Sequence, residues 1–392
     1  MSHRNTELAS AVEPPAVDAA LLERTPSPTL VVDLERVREN IRRMVRHAGS
    51  PRRWRPHLKT TKTPEIWREL VRAGVREFKC ATTRELRLLL ELLHTSDVAE
   101  SDVLLAYPLR GPGLDELARL ASAFPGTRVS VLCEDPALID SISESVSIFV
   151  DVNPGMHRTG IPLSDLERIL AVAHGAGSRF RGVHYYDGHL HSGSPEERRR
   201  ATAACYDGLI ELCGTLASDG LQVDEIITSG TPTFLHALAY EGFSPDAARP
   251  GPTHRISPGT VVLHDGRSEE ENPDLDLVPA ALLLTRVVSH PMPDVATCDA
   301  GSKSIAAEAG DPCAWVAGRP GLVALPPSEE HLPLRVAEGA RPALGETLWL
   351  FPRHVCPTVN LAEAMLLVDG DEARLVPVAG RAHDTVAPHQ AL

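Results

Sequence analysis

The sequence predicts an α/β protein, a (β/α)8 TIM-like barrel followed by a second, mostly antiparallel β domain. From about residue 29 to residue 230, eight short apolar or β-branched runs alternate with longer segments of helical spacing. Such alternation implies parallel strands with right-handed crossovers, and eight units fit a closed barrel, with an open doubly wound sheet as the alternative. After about residue 265 the helical periodicity fades, and apolar runs are separated by Pro, Gly and acidic turns. That change predicts the β domain.

The eight predicted barrel strands begin at Leu30, Arg55, Glu77, Val103, Arg128, Ser147, Phe180 and Glu225. The predicted domains are an N-terminal segment of residues 1–28 that packs with the β domain, a barrel of residues 29–264, and a C-terminal β domain of residues 265–392. No run approaches the roughly 18 apolar residues that a membrane span needs, and the first 28 residues lack the pattern of a signal peptide.

Charge and cysteine content exclude several classes of function. The net charge of −14 argues against a nucleic-acid or membrane partner, because both require a basic surface. Seven scattered cysteines without a CxxC pair indicate reduced thiols and a cytoplasmic location. Lysine occurs only at positions 59, 62, 79 and 303, so each lysine is a distinct candidate for amine chemistry.

The segment RPHLKT, from Arg55, carries the first chemical signal. Period-2 alternation in a strand places Arg55, His57 and Lys59 on one face, and the apolar Leu58 on the other. Since Leu58 should face the surrounding helices, the basic triplet should face into the barrel, where it needs anionic or covalent compensation. Lys59 ends the strand at the face where such barrels place active sites, and a desolvated lysine near other cations can attack a carbonyl. The alternative is a lysine that extends into solvent.

The chain resembles a known family over nearly its whole length from about residue 25. TPSPTLVVDLERVRENIRRM followed by RPHLKTTKTPEI is similar to the alanine-racemase-like N-terminal barrel of fold-type III pyridoxal-phosphate enzymes, and more narrowly to the D-threonine aldolase and D-serine dehydratase family. FKCATTRE, LLAYP, VDVNPGMHRTGI, TSGTPTF and HVCPTVNL continue the likeness in the family's order. The resemblance implies that Lys59 carries pyridoxal 5'-phosphate as a Schiff base.

Three loops, DVNPGMHRTG, TSGTPT and RPGPTHRISPGT, are predicted to complete the cofactor site. Arg158, in DVNPGMHRTG, matches the arginine that the family places beside the cofactor ring; the alternative is a surface ion pair. TSGTPT follows the eighth predicted strand and offers hydroxyls and accessible backbone N–H groups to a phosphate. The predicted cofactor-binding residues are Lys59, His57, Arg158, Tyr186, Ser229, Gly230, Thr231, Gly259 and Thr260, the last two by resemblance.

The segment VHYYDGHLH leaves one point open. His184 and Tyr186 should share a face that Tyr185 does not. Several relatives carry tyrosines where this sequence has His184 and His191, so the side chain that touches the ring is not fixed, and either tyrosine could be a core residue. The family's Gly-His pair is matched here by Gly188 and the histidine after it.

PRHVCPTVN predicts the metal site. His354 and Cys356, two residues apart on a strand, would lie on the same side and could bind one ion through imidazole and thiolate. The alternative is that His354 and Cys356 are buried there by chance and bind no metal. The resemblance implies a divalent metal at this pair, zinc or else manganese or magnesium. Two protein ligands would leave positions open for water and substrate, as in catalytic sites.

The expected reaction is that of a lyase on β-hydroxy-D-amino acids. With the metal near the β-substituent and Lys59 as base, loss of the β-hydroxyl gives dehydration, whereas loss of its proton gives retro-aldol cleavage. The resemblance implies cysteine two residues after the histidine in the dehydratase branch and aspartate there in the aldolase branch, so Cys356 favours a D-serine-dehydratase-like enzyme. A hydroxyaspartate is an equally compatible substrate.

Two other functions are less consistent with the sequence. A racemase of this fold usually uses a tyrosine from the C-terminal domain of a partner subunit. The five tyrosines of this chain are at positions 107, 185, 186, 206 and 240, so none lies in the predicted C-terminal domain. A barrel-only cofactor carrier would lack the large C-terminal domain. The resemblance also implies a homodimer, because active sites of this fold type are completed across a subunit interface.

Overall fold

The computed structural model describes residues 3–244, 251–273 and 275–385. The strands are β1 (Thr29–Asp33), β2 (Glu77–Cys80), β3 (Ser101–Leu105), β4 (Thr127–Cys133), β5 (Ser147–Asn153), β6 (Ile161–Pro162), β7 (Phe180–Tyr185), β8 (Glu225–Thr228), β9 (Thr253–Ile256), β10 (Ala281–Met292), β11 (Val295–Cys298), β12 (Ala314–Val316), β13 (Leu322–Ala324), β14 (Leu332–Val336), β15 (Thr347–Pro352), β16 (Ala364–Asp369) and β17 (Glu372–Pro377). The α-helices are α1 (His3–Ala11), α2 (Ala19–Arg24), α3 (Leu34–Ala48), α4 (Pro64–Arg72), α5 (Thr83–Thr95), α6 (Pro112–Ala123), α7 (Leu166–Ala176), α8 (Pro195–Ser218), α9 (Phe234–Ala239), α10 (Gly266–Glu271) and α11 (Val355–Leu361).

The described residues divide into two units. Those within Met44–Lys59, Leu70–Gly259 and the segment after Arg381 form the barrel unit, and those within Met1–Arg43, Thr60–Glu69 and Thr260–Arg381 form the β unit. This division places the segment before Met44 with the C-terminal strands, whereas the sequence analysis began the barrel at residue 29.

The barrel unit contains a parallel sheet in the order β2-β3-β4-β5-β7-β8-β9, with β6 beside β5. Two single parallel bridges, Trp54 with Ile256 and His57 with Lys79, connect β9 back to β2 through the segment 54–57. The ring is therefore completed, as the predicted fold class requires. Between its strands, Leu104, Leu132, Phe149 and Ile227 pack as an apolar cluster.

Two of the eight strand assignments need correction. The run from Leu30 is β1, which pairs antiparallel with β10 and parallel with β16 in the β unit, so its assignment to the barrel was wrong. The run from Arg55 forms only single bridges, and Pro56 supplies a physical reason because it has no N–H to donate to a ladder. The sequence analysis missed β9, which pairs with β8.

The β unit contains a nine-stranded sheet in the order β11-β14-β13-β12-β15-β10-β1-β16-β17. An additional pairing of β11 with β10 closes six of these strands into an antiparallel barrel. Leu8, Ala9 and Val12 of the N-terminal segment pack into a buried cluster with Trp315 and Trp349 of this unit. Among the helices that the structure describes, none combines the length and apolar character needed to cross a bilayer.

Candidate active site

Lys59 lies in a turn that follows the bridged residue His57 in the barrel unit. Its side chain is half-buried, and its backbone N–H donates to the Nδ1 atom of His57 over 3.4 Å. Leu58 is buried, with 1% of its surface exposed. The lysine is therefore held on a tight turn beside β2, where Leu58 N donates to the carbonyl of Lys79.

Arg55 is buried, but two carboxylates compensate its charge. Its Nε and Nη2 atoms donate to the two carboxylate oxygens of Glu225 over 2.8 and 2.9 Å, and Nη1 donates to Asp102 over 2.9 Å. Burial acts against ionisation of both Asp102 and Arg55, but their attraction prevails, so the pKa of Asp102 is lowered and that of Arg55 is raised. Arg55 therefore has a structural role in the barrel, and the compensation expected for the basic triplet is ionic at this residue.

A buried series of hydrogen-bonded side chains lies next to Lys59. None of its three residues is among the predicted cofactor-binding residues. The Lys79 Nζ atom is 3.4 Å from Nε2 of His184, and the Nδ1 atom of His184 is 2.7 Å from an oxygen of Asp151. Asp151 and His184 come from the paired strands β5 and β7, Lys79 comes from β2, which pairs with neither, and all three side chains are buried. The pKa of Lys79 is well below its ordinary value because of burial, then because of the charges of Lys59, Arg55 and Arg158. Burial and Lys79 also lower the pKa of His184, despite Asp151.

Tyr186 provides an aromatic surface above this chain. Its ring centroid is 5.6 Å from Lys79 Nζ and 5.0 Å from the guanidinium carbon of Arg158. The hydroxyl of Tyr185 instead donates to the carbonyl of Cys205 over 3.0 Å. The two tyrosines therefore face different surroundings, as the sequence analysis predicted. The structure brings together Arg158, Tyr186 and His184 in the barrel unit.

The segment after β8 has the features of a phosphate cradle. Ser229 has a left-handed backbone with φ of 59° and a buried Oγ atom without a hydrogen-bond partner among the described residues. A Cβ atom on Gly230 would lie 3.0 Å from the Tyr186 ring, so the segment passes close to that ring. Thr231 follows and is buried. A buried hydroxyl without a partner indicates a missing polar ligand atom.

Gly259 permits a second close approach of the backbone. A Cβ atom there would lie 2.2 Å from the carbonyl oxygen of His57, so only glycine fits beside the turn that carries Lys59. The residues of the barrel unit therefore fit pyridoxal phosphate: a lysine amine, an aromatic and guanidinium surface, and a cradle with an unsatisfied hydroxyl. The roles given to the individual residues remain predictions.

The predicted metal pair lies in the β unit. His354 is the N-cap of α11, and Cys356 lies in the first turn of that helix, so the strand expected here was wrong. Pro357 lies in the first helical turn, where its missing N–H removes no intrahelical hydrogen bond. Thr60 and Thr260 hydroxyls lie 3.2 and 3.4 Å from the Cys356 sulfur. Thr260, predicted to bind the cofactor, is thus placed beside the thiol.

The His354 imidazole is surrounded by acidic groups. Burial lowers its pKa, but hydrogen bonding and charge from Cys356, then Asp265 and Glu308, raise it to about 9. His354 Nδ1 is hydrogen-bonded to Glu308. The imidazole and thiol are thus adjacent, and a soft cation could replace the proton that they share. The donor types suit zinc, although the described residues contain no group of three or more His, Cys, Asp or Glu side chains arranged around an ion.

Asp265 fixes the backbone between the two predicted ligands. One of its oxygens accepts from Ser268 N and Oγ at the start of α10, and the other accepts from Val355 N over 3.0 Å. The sequence analysis missed this residue. Its only sequence signal is the Asp-x-x-Ser spacing of a helix N-cap.

Comparison with known proteins decides the family. Residues 32–253 match the model of the alanine racemase N-terminal domain, and residues 280–368 match that of the serine dehydratase domain. D-threonine aldolase of Arthrobacter sp is 30% identical over 380 residues, covering 91% of this chain and 93% of the relative. The chain belongs to the D-threonine aldolase and D-serine dehydratase-like family.

Other members of this family have different activities. D-threo-3-hydroxyaspartate dehydratase of Delftia sp. is 23% identical, covering 85% of this chain and 91% of the relative. The crystal structure of D-threonine aldolase from Filomicrobium marinum matches with a TM-score of 0.78 at 27% identity, covering 91% of this chain and 95% of that one. The family assignment makes this chain a pyridoxal-phosphate-dependent lyase with an alanine racemase-like fold.

Proposed function

We propose that the enzyme acts on β-hydroxy-D-amino acids and eliminates the β-hydroxyl, as a D-serine-dehydratase-like lyase. The observation that carries this choice is the thiol of Cys356 beside His354, because the resemblance described above associates cysteine at this position with the dehydratase branch. The serine dehydratase domain model matches this part of the chain, and one relative is a D-threo-3-hydroxyaspartate dehydratase.

Each group of the barrel unit has a separate task in this proposal. Lys59 would hold the cofactor and move the Cα proton. Ser229 would donate a hydrogen bond from its hydroxyl to the phosphate, and Arg158 and Tyr186 would orient the ring. When bound, pyridoxal phosphate accepts the electron pair released at Cα. Lys59 can serve as a base only when its amine is unprotonated, so the charge around it matters for the rate.

The residues of the metal pair would hold the ion that acts as a Lewis acid when a hydroxyl departs. His354 and Cys356 would hold a divalent ion, zinc by the softness of the thiolate donor. Glu308 hydrogen-bonds the Nδ1 atom of His354 and so orients the imidazole. Thr60 and Thr260 hold the sulfur of Cys356 in place.

A second candidate is retro-aldol cleavage. The 30% identity to D-threonine aldolase over 91% of the chain favours it. The same lysine and the pair His354 and Cys356 would serve both reactions, because a divalent ion held there could assist either departure of the β-hydroxyl or loss of its proton with cleavage of the Cα–Cβ bond.

Product analysis separates the two reactions. The purified enzyme should convert D-serine to pyruvate and ammonia, and 3-hydroxy-D-aspartate is the next substrate to test. Release of glycine and acetaldehyde from D-threonine, without pyruvate from D-serine, would instead establish the aldolase. Cys356→Ala should lose activity and bound zinc together, whereas the control Cys313→Ala, which removes a buried thiol outside the pair, should retain both.

We also propose that the enzyme is a homodimer, as the resemblance implies. Sedimentation equilibrium should then give twice the chain mass of 42.3 kDa. A monomer with full activity would contradict the idea that a second subunit completes the site.

A further inference from the structure

A polar cleft lies among the residues that begin the parallel strands of the barrel. It has a volume of about 800 Å³, and Glu77 of β2, Asp102 of β3 and Glu225 of β8 contribute to its lining. The predicted cofactor site lies at the other ends of these strands, where Tyr186 follows β7 and Ser229 follows β8. The cleft is therefore a separate cavity, of a size that holds a small molecule.

Part of the cleft is an ionic network whose groups are paired. Arg52 donates to Oε1 of Glu77 over 2.8 Å and to Glu100 over 3.0 Å. Arg255 donates to the same Oε1 atom over 3.1 Å and to Oε2 of Glu225. These bonds join the first residues of β2 and β8 to β9, so this part of the cleft has a structural role in the barrel.

Glu77 keeps one oxygen that this network does not use. Its Oε2 atom is buried and has no hydrogen-bond partner among the described residues. Only 4% of the surface of Glu77 is exposed. A buried carboxylate oxygen without a donor is costly, so it indicates a bound group that carries an N–H or O–H.

Two arginines in the cleft have spare donors. Nη2 of Arg181 and Nη1 of Arg128 lie 3.6 and 3.8 Å from one atom, Oδ2 of Asp102. Arg181 also lies 3.6 Å from Asp224 and 3.9 Å from Oε2 of Glu225. These separations exceed hydrogen-bond length, so they leave donors of both guanidinium groups unsatisfied. The Nε atom of Arg181 is also buried, with no partner in the described part of the chain.

These spare groups lie close enough for one ligand. Because both guanidinium groups approach the same Asp102 oxygen, a single carboxylate can contact both. Arg255 connects them to Glu77. It binds Glu77 with one nitrogen and, with another, the Glu225 oxygen that Arg181 approaches. The spare acceptor and the spare donors are thus one guanidinium group apart.

The charge of the cleft identifies the class of ligand. Among the described residues that line it, four are arginine and four are aspartate or glutamate. A phosphate would add negative charge to this balanced set, whereas a zwitterion adds none. An α-amino acid supplies both missing partners, a carboxylate for the guanidinium groups and an ammonium for the spare oxygen.

We propose that this cleft binds a free α-amino acid as a zwitterion, with its carboxylate on Arg128 and Arg181 and its ammonium on Oε2 of Glu77. Binding there is noncovalent and involves none of the predicted cofactor-binding residues. The cleft is thus a second amino-acid site, and the inference does not depend on which reaction the enzyme catalyses.

Isothermal titration calorimetry of the full-length holoenzyme tests the proposal, after borohydride reduction so that an amino acid cannot exchange with the cofactor. L-Serine is the probe, and acetate and hydrogen phosphate are compared with it. Arg181→Met and Arg128→Met remove the carboxylate partners, and Glu77→Gln keeps Oε1 but replaces Oε2 with an amide nitrogen. The control is Arg199→Met, at an exposed arginine of α8 that pairs with Glu196 outside the cleft.

We expect one molecule of L-serine to bind per chain, more tightly than either anion. Arg181→Met and Arg128→Met should each weaken this binding by about tenfold or more, because each removes a charge-assisted hydrogen bond. Glu77→Gln should weaken the binding of L-serine but leave that of acetate unchanged. Arg199→Met should match the wild type.

Absence of L-serine binding, or equal binding by the wild type and Arg128→Met, would overturn the inference. Arg128→Met is expected to fold, since 53% of the Arg128 side-chain surface is exposed. Tighter binding of hydrogen phosphate than of L-serine would contradict the zwitterion as the ligand class. Binding that survives in all three cleft variants would place L-serine elsewhere on the protein and refute the site.

Discussion

Asp187, at the end of β7, is a fully buried carboxyl group that the reaction does not use. It accepts hydrogen bonds from Tyr206 and from Thr233, the latter over 2.7 Å. Burial nevertheless raises its pKa to about 6, since the two bonds only partly offset desolvation. The folded protein therefore binds this proton more tightly than the unfolded chain does, and stability falls as pH rises from about 4 to about 6.

Asp187→Asn should remove this pH dependence. We expect wild-type protein to lose up to about 3 kcal/mol of unfolding free energy from this group between pH 4 and pH 7 relative to the variant. Urea denaturation of both proteins at pH 4 and pH 7 measures the difference. An equal pH dependence in the two proteins would show that Asp187 stays ionised when folded.

At the level of single residues, the sequence offers as candidates those that local patterns mark. Lys59 ends a basic triplet and Ser229 lies in a run of small polar residues, so neighbouring residues were enough to propose them, and their roles remain predictions. Lys79 sits between Phe78 and Cys80 in a short strand, and its partners His184 and Asp151 come from other strands. Because β2 is not a neighbour of β5 or β7 in the sheet, only the folded barrel brings these three side chains together, and local spacing does not contain that arrangement.

The start of α11 depends on a bond from a different helix. Asp265 is buried and binds both Ser268 in α10 and the Val355 N–H between the predicted metal ligands. Asp265→Ala should lower the unfolding free energy by about 1–3 kcal/mol, because buried donors lose their acceptor. It should also weaken metal binding by about 10–100-fold, since the ligands lose their orientation.

The matched control is Asp165→Ala, which removes the cap of α7 in the barrel unit, a single bond to Arg168 N. It should cost about 1 kcal/mol and leave the metal affinity unchanged. Thermal unfolding and zinc titration of both variants measure these effects. Equal metal affinity in wild type and Asp265→Ala would refute the positioning role.

The sequence predicted whether a segment is a strand or a helix better than it predicted which strand pairs with which. The run TLVVD is a strand, but its apolar pattern is the same whether it joins a parallel barrel or an antiparallel sheet. β9 was missed because the first three of its four residues, THRI, are polar and Pro252 directly precedes them. Arg255 in β9 binds Glu77 and Glu225, and this pairing becomes visible only when strands are neighbours.

For the whole molecule, the sequence predicted a parallel barrel and an antiparallel β domain. The comparison with known proteins confirms both this fold class and the resemblance to the family. The loss of helical periodicity near residue 265 was the basis for predicting the second, β domain. The sequence did not predict that residues before Met44 group with the C-terminal strands, because the pairing of β1 with β10 joins segments about 250 residues apart.

Borohydride reduction tests most directly whether Lys59 carries the cofactor. After reduction of the purified enzyme and digestion, mass spectrometry should find the pyridoxyl group on the peptide containing Lys59. Lys59→Ala should lose the adduct, whereas Lys62→Ala, which removes a neighbouring lysine bound to the Gly380 carbonyl, should keep it. An adduct retained in Lys59→Ala, or found on Lys79 in the wild type, would contradict the claim.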